Sequence, residues 1–176
     1  QAKKTIGKVE GDFRTAVISN KLFAYKRDAK APAWTYKGGA ILNSSICTAE
    51  GKVFFAECLE TAIRNEKSGR VRIDKFCQVK MQLVAVSLKS GKVLWKKPLK
   101  LPYEQIFYLS AAEGKLLACG SHNVGKKVAY SLFAYDIGNG RELWTNSDQE
   151  GKRTGGSHGE QWQHPVITNS KVYLAS

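Results

Sequence analysis

The 176-residue sequence predicts an all-β protein assembled from short, four-stranded antiparallel units. Three observations predict it. Leu22, Leu83 and Leu132 are each followed two residues later by Ala (Ala24, Ala85, Ala134) and twelve residues later by Trp (Trp34, Trp95, Trp144). A strand-turn-Lys-strand signature also recurs, in Ala49-Glu50-Gly51-Lys52, Ala112-Glu113-Gly114-Lys115 and Thr168-Asn169-Ser170-Lys171. No helical period of any length appears outside one insertion, residues 58–82. Self-similarity at fixed spacing is the mark of a repeat architecture.

Each unit reads as strands A to D. Strand A is Ser45–Thr48, Ile106–Ala111 and Pro165–Thr168. Strand B is Val53–Glu57, Leu116–Gly120 and Val172–Ser176, with Thr15–Ser19 as a copy at the start. Strand C holds the Leu-x-Ala step. Successive side chains on a strand point to opposite faces. Leu83 and Ala85 thus share one face and Val84 and Val86 the other, and both are apolar, as in a strand buried on both sides. Ser90-Gly91-Lys92 and Asn139-Gly140-Arg141 are hairpin chemistry, because Gly and Asn accept positive φ. Strand D follows each turn and carries the Trp.

The order is therefore B-C-D, A-B-C-D, A-B-C-D, A-B, over units of about 14–36, 45–96, 106–145 and 164–176. Small sheets stacked through two apolar faces describe a β-propeller, with two complete and two partial blades in this chain. A sandwich would instead leave one polar face on each strand. A closed ring needs more units than these. Gln1 is expected to open a mature chain or an excised piece, and the remaining blades, or other copies meeting open strand edges, are expected to complete the arc.

Ala134-Tyr135-Asp136-Ile137-Gly138-Asn139-Gly140-Arg141-Glu142-Leu143-Trp144 resembles the tryptophan-docking repeat of bacterial propellers of the pyrroloquinoline-quinone (PQQ) type. Ala85, Gly91, Lys92 and Trp95 fit the same frame, with Ser87 in place of the Asp. Ala24 and Trp34 fit it with Lys26 for the Asp and Lys30 for the Gly. The resemblance implies that Trp34, Trp95 and Trp144 pack between blades, against the Ala and Gly positions of neighbours, and that Asp136 satisfies turn amides. It also implies an extracytoplasmic location, and two classes of function. One is a scaffold that recruits partners through loops, as in outer-membrane assembly lipoproteins. The other is a quinoprotein dehydrogenase holding PQQ with Ca²⁺ beneath a vicinal disulfide. No two of the four cysteines are adjacent here, so a non-catalytic binding module with no cofactor is the reading favoured.

Three long connections carry the remaining candidates: Cys58–Gln82, His122–Ser131 and Thr145–His164. Cys58 and Cys77 bracket the first, either as a disulfide at its base or as two thiols. The third holds His158, Glu160, Trp162 and His164, a set that either contacts a ligand or metal or forms a polar loop. A composition of 43% hydrophobic and 24% charged residues excludes a disordered chain, and no apolar run is long enough to span a membrane. A net charge of +13 favours an acidic protein or ligand as partner. It does not favour nucleic acid, because the cations are spread over repeated turn positions such as Lys52, Lys115 and Lys171.

Overall fold

A computed structural model describes residues 15–125, 127–151 and 164–173. The described chain is mostly strand. It runs β1 (Thr15–Ala24), β2 (Trp34–Leu42), a 3-10 turn (Asn43–Ser45), β3 (Cys47–Ala49), β4 (Lys52–Cys58), α1 (Thr61–Arg64), β5 (Arg70–Arg72), α2 (Ile73–Cys77), β6 (Met81–Ser87) and β7 (Val93–Leu99). There follow β8 (Ile106–Ala112), β9 (Lys115–Val124), β10 (Lys127–Asp136), β11 (Glu142–Gly151), β12 (Val166–Thr168) and β13 (Lys171–Tyr173). Every pairing is antiparallel. One sheet is ordered β5-β1-β2-β4-β6-β7 with β3 on β4, a second is β11-β10-β9-β8, and β12 pairs β13.

The strand-turn-Lys-strand signature closes each hairpin by one device. Glu50 and Gly51, Glu113 and Gly114, and Asn169 and Ser170 all have positive φ, between 48° and 72°. Paired left-handed residues make the turn whose twist matches the flanking strands. Two of the Leu-x-Ala strands also behave alike. Leu83, Val84, Ala85 and Val86 in β6 are fully buried, and Ala134 and Tyr135 in β10 nearly so. In each hairpin the Ala lies opposite the Trp in register: Ala24 with Trp34, Ala85 with Trp95, Ala134 with Trp144.

The structure departs from the sequence expectation at several places. Thr15–Ser19 is not a separate strand B. Asn20 and Lys21, which separate it from the Leu-x-Ala segment, continue the strand instead of turning, so β1 runs straight through with an irregularity between Ser19 and Lys21. Its outer face is open, with Phe23 and Tyr25 at 52% and 59% exposure, unlike β6 and β10. Ala40 and Ile41 at the end of β2 pair with Cys58 and Glu57, which joins the first unit to the second in one sheet. Strand A of the second unit begins with the 3-10 turn and is regular only from Cys47 to Ala49. The connection expected at His122–Ser131 is instead hairpin, because β9 and β10 stay in register out to Val124 and Lys127. Part of the expected Thr145–His164 connection is the continuation of β11 to Gly151. The 58–82 insertion folds as α1, β5 and α2, and β5 adds to the start of β1.

One apolar cluster spans the units. Phe54, Phe76, Leu83, Leu101, Phe107, Leu109 and Leu116 belong to it. Tyr103 is fully buried there, its hydroxyl 2.9 Å from the carbonyls of both Ala118 and Ser131. Glycine at 120 makes room for its ring, which any Cβ there would overlap. A second cluster, Tyr36, Ile41, Val53, Phe55, Val84 and Val86, lies under Leu22 and Trp34.

Candidate functional site: inter-unit junctions and a buried carboxylate

Trp34 leaves its own hairpin and lies on the turn of the next unit. Its Nε1 donates to the Leu88 carbonyl at 3.0 Å, and a Cβ placed on Gly91 would stand 2.6 Å from its ring. Trp95 repeats this one unit on. Its Nε1 donates to the Ile137 carbonyl at 3.3 Å, and a Cβ on Gly140 would stand 2.8 Å from the ring. Gly91 and Gly140 follow their acceptor carbonyls by three residues in both turns. The indole N–H, costly to bury without a partner, thereby keeps a hydrogen bond while the ring is covered.

The receiving turns are built alike. Gly91 N donates to the Ser87 carbonyl and Gly140 N to the Asp136 carbonyl, both at 2.8 Å. Asp136 Oδ1 accepts from Gly138 N at 2.8 Å and Asn139 N at 3.1 Å. At the equivalent position Ser87 Oγ accepts from Ser90 N at 3.3 Å. Trp144 is 37% exposed, with Leu143 beside it at the same 37%.

A second link that sequence reading missed runs between the hairpin turns. Glu50 Oε1 accepts from Gly114 N at 3.0 Å, and Glu113 Oε2 accepts from Ser170 N at 2.9 Å. Each turn thus supplies a carboxylate to the next turn's amide. Asn169 takes the Glu position in the third copy. The repetition of Glu-Gly-Lys was visible in the sequence, but its direction across units was not.

Sequence reasoning also missed Glu57, which is fully buried. Its carboxylate accepts from the Tyr36 hydroxyl (2.8 and 2.9 Å), Gly39 N (2.8 Å), Gln82 Nε2 (2.6 Å) and Lys96 Nζ (3.0 Å). Lys96 Nζ also donates to the Tyr36 hydroxyl at 2.8 Å. Burial opposes ionisation of Glu57 and is the largest single influence. The bonds from Lys96, Gln82, Tyr36 and Gly39 together outweigh it, so the carboxyl titrates below its ordinary value. Burial likewise opposes the Lys96 charge, yet Tyr36 and Glu57 hold that charge and raise its pKa. Tyr36 is pushed up to about 12, first by burial. The strands β2, β4, β6 and β7 each supply a member. The buried carboxylate of this network is saturated, so its work is to fix the register of four strands.

Cys58 and Cys77 are buried and are thiols in the structure, within one apolar cluster. Burial pushes both upward, with Asp74 and then Cys58 adding to the effect on Cys77. Cys47 and Cys119 are raised to about 12 by burial. No reactive thiolate results. His158, Glu160 and Trp162 lie outside the described residues. His164 is exposed and rests on Tyr108, the ring centroids 4.1 Å apart. Among the described residues no three His, Cys, Asp or Glu side chains cluster as metal ligands, and no helix is long and apolar enough to cross a membrane. Among the described residues the donors do not suit a quinone with its cation. The cysteines are non-adjacent, Glu57 is already saturated, and the Trp34 and Trp95 indoles are committed to turns of the same chain.

No protein-family model matches the chain, and no curated protein matches it. Among solved structures the chain is similar to BamB from Moraxella catarrhalis, at 12% identity and a TM-score of 0.27, over 88% of this chain and 55% of that one. The chain thus spans about half the length of that structure.

Proposed function

We propose that this chain is a non-catalytic binding or scaffold module, an arc of propeller blades whose surfaces recruit a protein or an acidic ligand. The observation that carries the reading is the recurrence of one junction. Trp34 on the Leu88–Gly91 turn and Trp95 on the Ile137–Gly140 turn are related by the same contacts, one unit apart. A fixed step repeated between similar units turns a chain into a curved stack. Trp34, Trp95 and Trp144 act in this reading as docking residues, with Ala24, Ala85 and Ala134 opposite them. If the step repeats once more, Trp144 requires a turn bearing Gly at the receiving position, as at Gly91 and Gly140. The first unit's own turn has Lys30 there, so a head-to-tail contact between copies of this chain is disfavoured. An extracytoplasmic location belongs to the same proposal.

The test is capture of partners by the intact chain from an extract of its source, repeated with the β9–β10 hairpin shortened. A partner captured only by the intact chain supports the reading. Dye reduction that requires both added PQQ and Ca²⁺ overturns it.

A further inference from the structure

Between the first hairpin and α1 runs a cleft of adjoining cavities, ≈ 390 Å³ and ≈ 330 Å³, that share Asn20, Lys21, Ala40 and Arg64. Lys37 lines one part and Lys67 the other. Lys21, Lys37, Arg64 and Lys67 are all exposed, and none makes an ion pair or side-chain hydrogen bond among the described residues. The carboxylate on the cleft, Glu66, is engaged by the Ser68 amide and hydroxyl. Lys21 and Lys37 also stand directly opposite one another on β1 and β2. Like charges at that position destabilise a sheet. A local rule broken without internal compensation marks a place where something outside compensates.

The same cleft borders a strand edge. β5 covers β1 only from Thr15 to Val17. Among the described residues nothing pairs with the Ser19–Ala24 stretch on that side, and Phe23 beside it is 52% exposed. That stretch has room for about six residues of an added strand. We propose that an extended, acidic peptide segment of a partner protein adds to this edge in line with β5, its carboxylates pairing with Lys21, Lys37, Arg64 and Lys67. A second copy is a poor occupant, because its matching edge, Ser19–Ala24, carries Lys21 and no carboxylate. The chain's own residues 1–14 are also poor, since Lys3, Lys4, Lys8 and Arg14 outnumber Glu10 and Asp12. Main-chain bonds would supply affinity here and the cations specificity.

This inference deepens the binding-module reading. Its probe is a fluorescein-labelled peptide of alternating Glu and Val, titrated into the full chain by anisotropy. Lys21→Glu with Arg64→Glu is expected to weaken binding about tenfold or more, since attraction becomes repulsion at two exposed sites. N-methylation of alternate peptide amides is expected to weaken it as much. The double variant should unfold no lower than the parent chain, because Lys21→Glu relieves the repulsion with Lys37, and this separates the result from a failure of the blade junctions. Equal binding of a Lys-Val peptide, or indifference to the charge reversals, overturns the proposal. So does displacement by inorganic phosphate combined with indifference to N-methylation, which would leave a simple anion pocket. Tenfold tighter binding after deletion of residues 1–14 also overturns it, because that segment would then be the resident strand.

Discussion

Trp34 and Gly91 are 57 residues apart in the chain, yet a single added carbon on Gly91 would stand 2.6 Å from the Trp34 ring. Gly91 also has φ of +68°. Gly51 shares the backbone strain, at +70°, but has nothing within 4 Å of its would-be Cβ. Gly91→Ala should therefore cost about 2–4 kcal/mol, strain and clash together, against about 1–2 kcal/mol for Gly51→Ala. Urea unfolding of the two variants measures the difference. Equal costs would show that the ring does not depend on this contact.

Two of the repeat tryptophans, Trp95 and Trp144, should separate by environment. Trp95→Ala removes a half-buried ring with a hydrogen-bonded N–H and is expected to cost about 3 kcal/mol or more. Trp144→Ala should cost about 1 kcal/mol or less, its ring being 37% exposed. In single-tryptophan variants, iodide should quench Trp144 more readily than Trp95.

Glu113→Ala should destabilise the chain by about 0.5–1 kcal/mol, because it strips the Ser170 amide of an exposed cap. Faster hydrogen exchange is expected at Ser170, with the amides of β9 and β10 unchanged.

Glu57 gives stability a defined pH dependence. It titrates lower in the folded chain than in the unfolded chain, where about 4.3 is ordinary. Its contribution is therefore complete above that value and is lost as pH falls through the folded value. Lys96 is raised, so its contribution is complete below about 10.4 and is lost as pH rises through its folded value. Glu57→Gln should cost about 1–3 kcal/mol at pH 7 and flatten the acid limb of a stability-pH curve.

Burial of Cys58, Cys77 and Cys119, with all three thiols raised, predicts slow alkylation in the native state at pH 8. Iodoacetamide labelling followed by mass spectrometry should find these three cysteines modified only after unfolding. Rapid native labelling of Cys77 would contradict the packing of α2.

How much was legible follows from the range of each signal. The Leu-x-Ala strands, the left-handed turns and the Asp136 turn rest on neighbours in sequence, and they read directly. The β9–β10 hairpin was misread as a loop, because Ser121, His122 and Asn123 carry no apolar alternation although they pair in full register with the residues opposite. Glu57 was invisible for a related reason. A single carboxylate in an apolar strand has no local sign, and its four donors come from positions 36, 39, 82 and 96. The cleft cations Lys21, Lys37, Arg64 and Lys67 carried no sign in the sequence, because their meeting depends on how the first hairpin lies beside α1.

Local chemistry in the chain alone determined the repeating hairpins, the placement of Ala opposite Trp and the glycine-bearing turns. Side-chain alternation and permitted φ act over a few residues, and a linear string records them. Tertiary structure alone decided which turn receives which indole, how Glu57 is neutralised and where Lys21 and Lys37 confront one another beside an open edge. Those outcomes depend on distances between segments far apart in the chain, which no short stretch encodes.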